Sequence, residues 1–215
     1  MPKKLTAEEE MARLYEMQSI EREKRGAGYK YIAGVDEAGR GPLAGAVYAA
    51  AVILPEDVFI EGLNDSKKLS ENKREALFDV ICEKAVSYSI ASVDEKRIDE
   101  INILNATFEA MNKAIDGLKI QPDYVLIDGN RIKGTDIPHE TVVKGDAKSV
   151  SIAAASILAK VSRDRYITEA AKTYPEYGFE KHKGYGTAAH NEAILKYGMC
   201  PIHRRTFLKK LLGEK

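Results

Sequence analysis

The chain has 215 residues, 44% hydrophobic and 31% charged, which suits one large or two small globular domains and excludes a disordered chain. Its 33 basic and 33 acidic residues cancel, so bulk charge does not point to nucleic acid, and such a partner would need a local basic patch. No apolar run approaches the ~18 residues of a membrane span, Met1–Glu10 lacks the apolar core of a secretion signal, and Cys82 and Cys200 have no metal-type spacing, so two reduced thiols in a cytoplasmic protein are expected.

Residues 5–25 read as one helix. Thr6 and Glu9 fit a capping box, but Leu5, Met11, Leu14, Tyr15, Met17 and Ile20 form only a loose apolar stripe among charges, so this helix is expected outside the core or weakly packed on it. Gly26-Ala27-Gly28 ends it as a short linker. The chain is thereby divided into an N-terminal helical extension, 1–28, and one main domain, 29–215. Tyr31–Val35 is a strand, and Gly45–Leu54 a second, nearly all apolar, as for a strand covered on both faces. Their short separation predicts an antiparallel hairpin around Gly39–Leu43. Pro55 stops the second strand.

Asn64–Leu69 is a polar loop, and Ser70 caps a helix running to Glu83. Val86–Val93 alternates as a third strand. Ile101, Leu104, Phe108, Met111, Ile115 and Leu118 recur at helical spacing within Ile98–Leu118. Tyr124–Ile127 and His139–Val143 are strands, ending at Asp128-Gly129-Asn130 and Lys144-Gly145-Asp146. Ser149–Ala171 is an Ala-rich buried helix. Gly178–Gly186 reads as a basic and aromatic loop, Thr187 caps a helix that stops at Gly198, and the tail is basic, then amphipathic. The order predicts a mixed five-stranded α/β sheet flanked by helices with a helical C-terminal portion and no second core.

Three places put acids just beyond an apolar stretch: Asp36-Glu37, Asp128 and Asp146. In open α/β sheets such ends converge along one edge, where ligands sit. Carboxylates gathered there raise one another's pKa unless a cation neutralises them. All the donors are oxygens, which selects Mg²⁺ or Mn²⁺ over zinc or copper. Two such ions about 3.5–4 Å apart can activate a water and stabilise a leaving oxygen in phosphodiester hydrolysis. Each acid alone also admits a local reading: Asp128 as a turn residue, Asp146 as a helix N-cap, Asp36-Glu37 as partners of Arg40. Asp164 is assigned to helix structure, with a peripheral ligand role open.

The order of Gly34–Gly45 (GVDEAGRGPLAG), Asp65-Ser66-Lys67-Lys68-Leu69, Ile127-Asp128-Gly129, Lys144-Gly145-Asp146 and Lys183-Gly184-Tyr185 resembles bacterial ribonuclease HII from about Tyr31 to Phe207. Arg40 separates it from the ribonuclease HIII pattern, which carries Lys there. The resemblance implies a ribonuclease H-like fold and a metal-dependent endonuclease that cuts the RNA strand of RNA–DNA hybrids and 5′ of single ribonucleotides in duplex DNA, leaving 3′-hydroxyl and 5′-phosphate ends. It implies that Asp36, Glu37, Asp128 and Asp146 are the catalytic metal ligands. Gly39-Arg40-Gly41 would read the ribose 2′-OH through its backbone, and Tyr185 would pack on the sugar. Ser66 and Lys67 would lie near the substrate backbone.

The residue types agree. Glycine admits close backbone approach, the 2′-OH distinguishes RNA from DNA, and tyrosine offers a flat face. Lys68, Lys181, Lys183, Arg204 and Arg205 are further candidates for phosphate contact, while His182 and His203 are left unassigned. The tail has no clear sliding-clamp motif, and a monomer is expected. Two alternatives stay open, a ribonuclease that needs several consecutive ribonucleotides and a hybrid-binding module without catalysis.

Overall fold

The structure, a computed structural model, describes residues 5–214; the first four residues of the expected extension and Lys215 lie outside the described residues. Its strands are β1 (Ile32–Ala38), β2 (Val47–Ile53), β3 (Ser87–Val93), β4 (Tyr124–Asp128) and β5 (His139–Val142). They form one sheet in the order β3-β2-β1-β4-β5, with β1 antiparallel to β2 and parallel to β4. The predicted hairpin and the mixed sheet are both present.

Two helices sandwich the sheet. On one face lies α5 (Val150–Thr173), whose alanines Ala153, Ala154 and Ala155 pack with Ala50 and Val52 of β2. Small side chains let it sink close to the strands. At Gly34 a Cβ would fall 2.1 Å from the Ser151 carbonyl carbon, so only glycine allows this approach. On the other face α4 (Glu95–Asp116) packs Ala106, Ala110 and Ile115 against Ala33, Val35 and Val125. Helix α3 (Glu71–Lys84) is capped by the Ser70 side chain, as predicted.

Four expectations about helices are corrected. The single helix over 5–25 is two, α1 (Ala7–Met17) and α2 (Ser19–Gly26), broken at Gln18, whose buried amide donates to the Val58 carbonyl at 2.7 Å. The Thr6–Glu9 capping box does form. Nor do these helices stand outside the core: Leu14 and Met17 are buried in the α5-side cluster. Buried Glu21 accepts from Ser149 Oγ (2.6 Å) and Ser151 N (3.0 Å) at the start of α5. The predicted helix over Ile98–Leu118 is interrupted at Asn102, at φ 66°, whose side chain caps the next segment by accepting from Leu104 N and Asn105 N. Finally, the expected loop over Gly178–Gly186 contains a short helix, α6 (Phe179–His182).

The C-terminal portion, with α7 (Ala188–Tyr197) and α8 (Arg205–Leu212), has its own apolar cluster around Phe179, Ile194 and Leu208. It is tied to the β1–β2 connection by a bridge between Ala44 and His203. Among the described residues no helix is long and apolar enough to cross a membrane.

Candidate active site

The parallel pairing of β1 with β4 sets Val35 beside Ile127 and stops there, so the next residues, Asp36 within β1 and Asp128 at the end of β4, emerge side by side. Asp146 arrives by a tighter route. After β5 the chain turns through Lys144 in the left-handed region and Gly145, whose N–H donates to Asp128 Oδ1 at 2.6 Å. A Cβ on Gly145 would lie 2.5 Å from Ile152 Cδ1 and 3.3 Å from Asp128 Oδ1, so the absent side chain lets this turn close on the carboxylate. One oxygen from each of Asp36, Asp128 and Asp146 then lies within 4.8 Å of the others.

The local readings of these acids separate. Ser149, not Asp146, caps α5, by accepting from Ile152 N. Asp128 does brace a turn, and it is a member of the cluster as well. Glu37 follows Asp36 on an alternating strand and stands beside the triad rather than in it. Its Oε1 accepts from Arg40 Nη1 at 3.3 Å.

The electrostatics are those of crowded, buried like charges. Burial, then the charges of Glu37 and Asp128, push the Asp36 carboxyl well above the usual carboxylate range. Burial also raises Glu37, with the Arg40 charge opposing and Asp128 adding. Asp146 is raised by burial, Asp128 and Asp65, against the pull of Lys67. The counter-charge is thin. Lys67 Nζ is 3.6 Å from Asp146 Oδ2 on a largely exposed side chain, and that distance supplies little at a surface. Burial disfavours the charged form of Lys67, yet Asp146 and Asp36 raise it on balance. An all-oxygen triad with this little compensation fits a hard divalent cation.

The predicted substrate-binding residues fall in two groups, the Gly39-Arg40-Gly41 turn with Tyr185, and Ser66 with Lys67 beside Asp146. Gly39 lies at φ 97°, and a Cβ there would strike Arg163 Nε at 2.7 Å. Gly41 lies against the Tyr185 ring, at 3.6 Å for a Cβ, and Tyr185 is 45% exposed, a part-exposed aromatic ring beside the Gly39-Arg40-Gly41 turn. Ser66 is buried, its N–H donating to Ser156 Oγ of α5 at 3.3 Å, and this anchors the turn that projects Lys67. Asp65 Oδ1 shapes that turn by accepting from Lys67 N.

Among the phosphate candidates, Lys68, Lys181 and Arg205 are exposed. Lys183 is half-buried and donates to Thr168 Oγ1. The Arg204 reading is overturned. The side chain is fully buried and donates to the carbonyls of Gly39 (2.6 Å), Arg40 (3.0 Å), Pro42 (2.9 Å) and Gly45 (2.6 and 2.8 Å). It holds the Gly-Arg-Gly turn from behind and has no access to a phosphate. Burial, with the nearby Arg163 charge, lowers Arg204 to about 10, so it stays charged at neutral pH.

Arg163, a residue sequence reasoning passed over, joins the same turn to the Tyr185 loop. Its Nη2 donates to Lys183 O (2.7 Å), and its guanidinium lies 5.7 Å from the Tyr185 ring centre. No pattern marked Arg163 or the carbonyl-binding role of Arg204, because carbonyls that converge in space leave no trace in residue spacing. Asp164 pairs with Lys160 one turn earlier in α5, at 2.8 Å, as its helical assignment implied. His203 is buried, not part of a basic surface.

Comparison with known proteins agrees with this geometry. The ribonuclease HII family model matches residues 33–210. The ribonuclease HII of Acetivibrio thermocellus is 62% identical over 98% of this chain and 82% of its own length, and that of Clostridioides difficile 58% identical over 94% and 80%. Among solved structures, the ribonuclease H2 of Pyrococcus horikoshii OT3 superposes with a TM-score of 0.70 at 30% identity, covering 85% of this chain and 97% of that one. A ribonuclease HIII crystallised with Mn²⁺ shares the fold at a TM-score of 0.65 and 19% identity, over 85% of this chain and 69% of that one. With the sheet-edge triad and the family model spanning most of its length, the chain belongs to the ribonuclease HII family.

Proposed function

We propose that this protein is a metal-dependent endoribonuclease that cuts the RNA strand of RNA–DNA hybrids and hydrolyses the phosphodiester 5′ of single ribonucleotides within duplex DNA. The observation that carries the reading is the meeting of Asp36, Asp128 and Asp146 beside the glycine turn and Tyr185. The three carboxylates, flanked by Glu37, would hold Mg²⁺ or Mn²⁺, which when bound supplies a nucleophilic water and charge neutralisation for the scissile phosphate. The water's oxygen bonds to phosphorus and the 3′-oxygen leaves with a proton, giving 3′-hydroxyl and 5′-phosphate ends.

The chain's own residues do the rest. Gly39 and Gly41 carry no side chain of their own, and with the Gly39 and Arg40 carbonyls held by Arg204 the backbone N–H groups of the turn would be the ones to meet a 2′-OH. The exposed Tyr185 face suits stacking against the adjoining sugar. Lys67, beside Asp146, is placed to meet a phosphate oxygen. Both cysteines are free thiols, consistent with work in the cytoplasm on RNA- or ribonucleotide-containing duplexes.

A duplex with one embedded ribonucleotide tests the reading. Cleavage at its 5′ side in Mg²⁺ or Mn²⁺, lost with chelator or with deoxyribose at that position, is expected. Cleavage of long hybrids alone would instead favour an enzyme that needs several consecutive ribonucleotides.

A further inference from the structure

The C-terminal portion buries a chain of imidazoles that touches no acid of the active site. His203 Nδ1 lies 2.9 Å from the Cys200 backbone N–H, and its Nε2 lies 3.0 Å from His190 Nε2. His190 Nδ1 in turn lies 2.9 Å from the Tyr185 carbonyl oxygen. One backbone group fixes every proton in this chain. An amide N–H can only donate, so His203 Nδ1 accepts and its proton sits on Nε2. That proton points at His190 Nε2, which must accept, so His190 carries its proton on Nδ1 and donates to Tyr185 O. The Cys200 thiol, 3.1 Å from the same His203 Nδ1, is pushed up to about 11 by burial and so remains a further donor at neutral pH.

The surroundings keep both rings uncharged. Burial lowers His190, and burial with the neighbouring His190 holds His203 down to about 4. His182 stacks on His190 with ring centres 4.4 Å apart. Its own tautomer is fixed in the same way: Gly184 N–H donates to Nδ1, leaving Nε2–H to donate to Tyr177 O. The next residue after His203 is Arg204, whose side chain clamps the glycine turn. One dipeptide therefore reaches both segments proposed to read the ribose.

We propose that His190 and His203 are positioning residues for ribose recognition, fixed in opposite tautomers so that a one-way hydrogen-bond chain from the Cys200 amide to the Tyr185 carbonyl holds the Tyr185 ring against Gly41. The inference rests on the reading of Tyr185 as the sugar contact. It adds to that reading a pair of buried side chains that never meet substrate. At the Tyr185 carbonyl itself, His190 is needed only for its Nδ1 donor. An asparagine amide can occupy the same place, whereas leucine leaves the Tyr185 carbonyl with Thr187 N–H as its remaining donor.

Steady-state cleavage of a single-ribonucleotide duplex by the full chain with Mg²⁺ tests this, using Tyr185→Ala, His190→Leu and His190→Asn. For His190→Leu, KM is expected to rise about tenfold with kcat within about twofold, the equivalent of one net hydrogen bond. His190→Asn is expected to stay within about threefold of wild type. Wild-type KM in His190→Leu, or equal impairment of both His190 variants, overturns the proposal. If Tyr185→Ala leaves KM unchanged, the sugar-contact reading itself fails, an outcome distinct from failure of the relay. Long-range ¹H–¹⁵N spectra of the wild-type imidazoles supply a readout independent of folding in the variants. A proton on Nδ1 of His190 and on Nε2 of His203 is expected, and the reverse tautomer in either ring overturns the proposal.

Discussion

Arg204 is the most exacting test of how the glycine turn is held. Replacement by Met keeps most of the apolar stem and removes five donor contacts to four carbonyls. Three of those carbonyls, on Gly39, Pro42 and Gly45, meet the guanidinium in fully buried contacts. A hydrogen bond from a charged donor contributes about 1.5–3 kcal/mol net, so these three are worth roughly 5–9 kcal/mol together. Relief of the buried charge's desolvation offsets several kcal/mol of that. The balance is a loss of about 3 kcal/mol. With a urea slope of about 2 kcal/mol/M, the unfolding midpoint would fall by about 1.5 M. Urea unfolding followed by far-UV circular dichroism measures the shift, and KM for a single-ribonucleotide duplex should rise in parallel because the turn loses its backing. Arg204→Lys, one ammonium in place of a fork, should fall between wild type and Met. A midpoint for Arg204→Met within about 0.3 M of wild type, roughly 0.6 kcal/mol at that slope, would refute the clamp.

Asp128→Asn should retain duplex binding in a gel-shift assay and lose at least about 10³-fold in cleavage rate, since it removes a charge from the triad; near-normal turnover would contradict the metal assignment. Asp36→Asn should raise the melting temperature of the metal-free chain at pH 8 while abolishing stabilisation by Mg²⁺. The sign follows from the raised Asp36 pKa: the folded state binds this proton more tightly than the unfolded one, so metal-free wild type gains stability as pH falls from 8 through the raised value. The Asn variant should lack that share of the gain, and His203, present in both, cancels from the comparison. Gly34→Ala should fail to give soluble folded protein, because its methyl group meets α5 backbone that has no room to yield; a well-folded variant would show that β1 and α5 stand further apart.

The sheet was legible because apolar runs broken by Gly, Pro and Asp mark strands, and because acids just past such runs are costly without a partner. Asp36 and Asp128 meet just past the paired stretch of two parallel strands, a general property of the fold class, although β1 itself runs on to Ala38. Asp146 is named by the same pattern, but its route to the triad is not legible, since it passes through a left-handed Lys144 that no propensity announces. Arg204 was misread for a physical reason: a basic residue in a basic tail looks solvated until the tail pairs with Ala44 and four carbonyls close around it. His190 carried no signal, because one histidine on a helix beside alanines has an ordinary spacing. Charges likewise disguised the N-terminal helices, where Leu14, Met17 and Glu21 are buried on one side while Glu8, Glu9 and Arg22 face outward or lie half-covered.

Glu21 has a bearing on where this protein can be cut or joined. It is contributed 128 positions before Ser149, yet it secures the first turn of the helix that begins four residues after Asp146. A shortened protein beginning at Tyr29 would keep every motif quoted for the family and Asp36, Glu37, Asp128 and Asp146. It would also leave the Ser151 amide and the Ser149 hydroxyl without the carboxylate that both meet here. The end of α5 nearest the acid triad would then be free to fray. An engineer seeking a minimal enzyme, or a fusion through the amino terminus, should therefore treat the segment up to Gly26 as part of the active-site support.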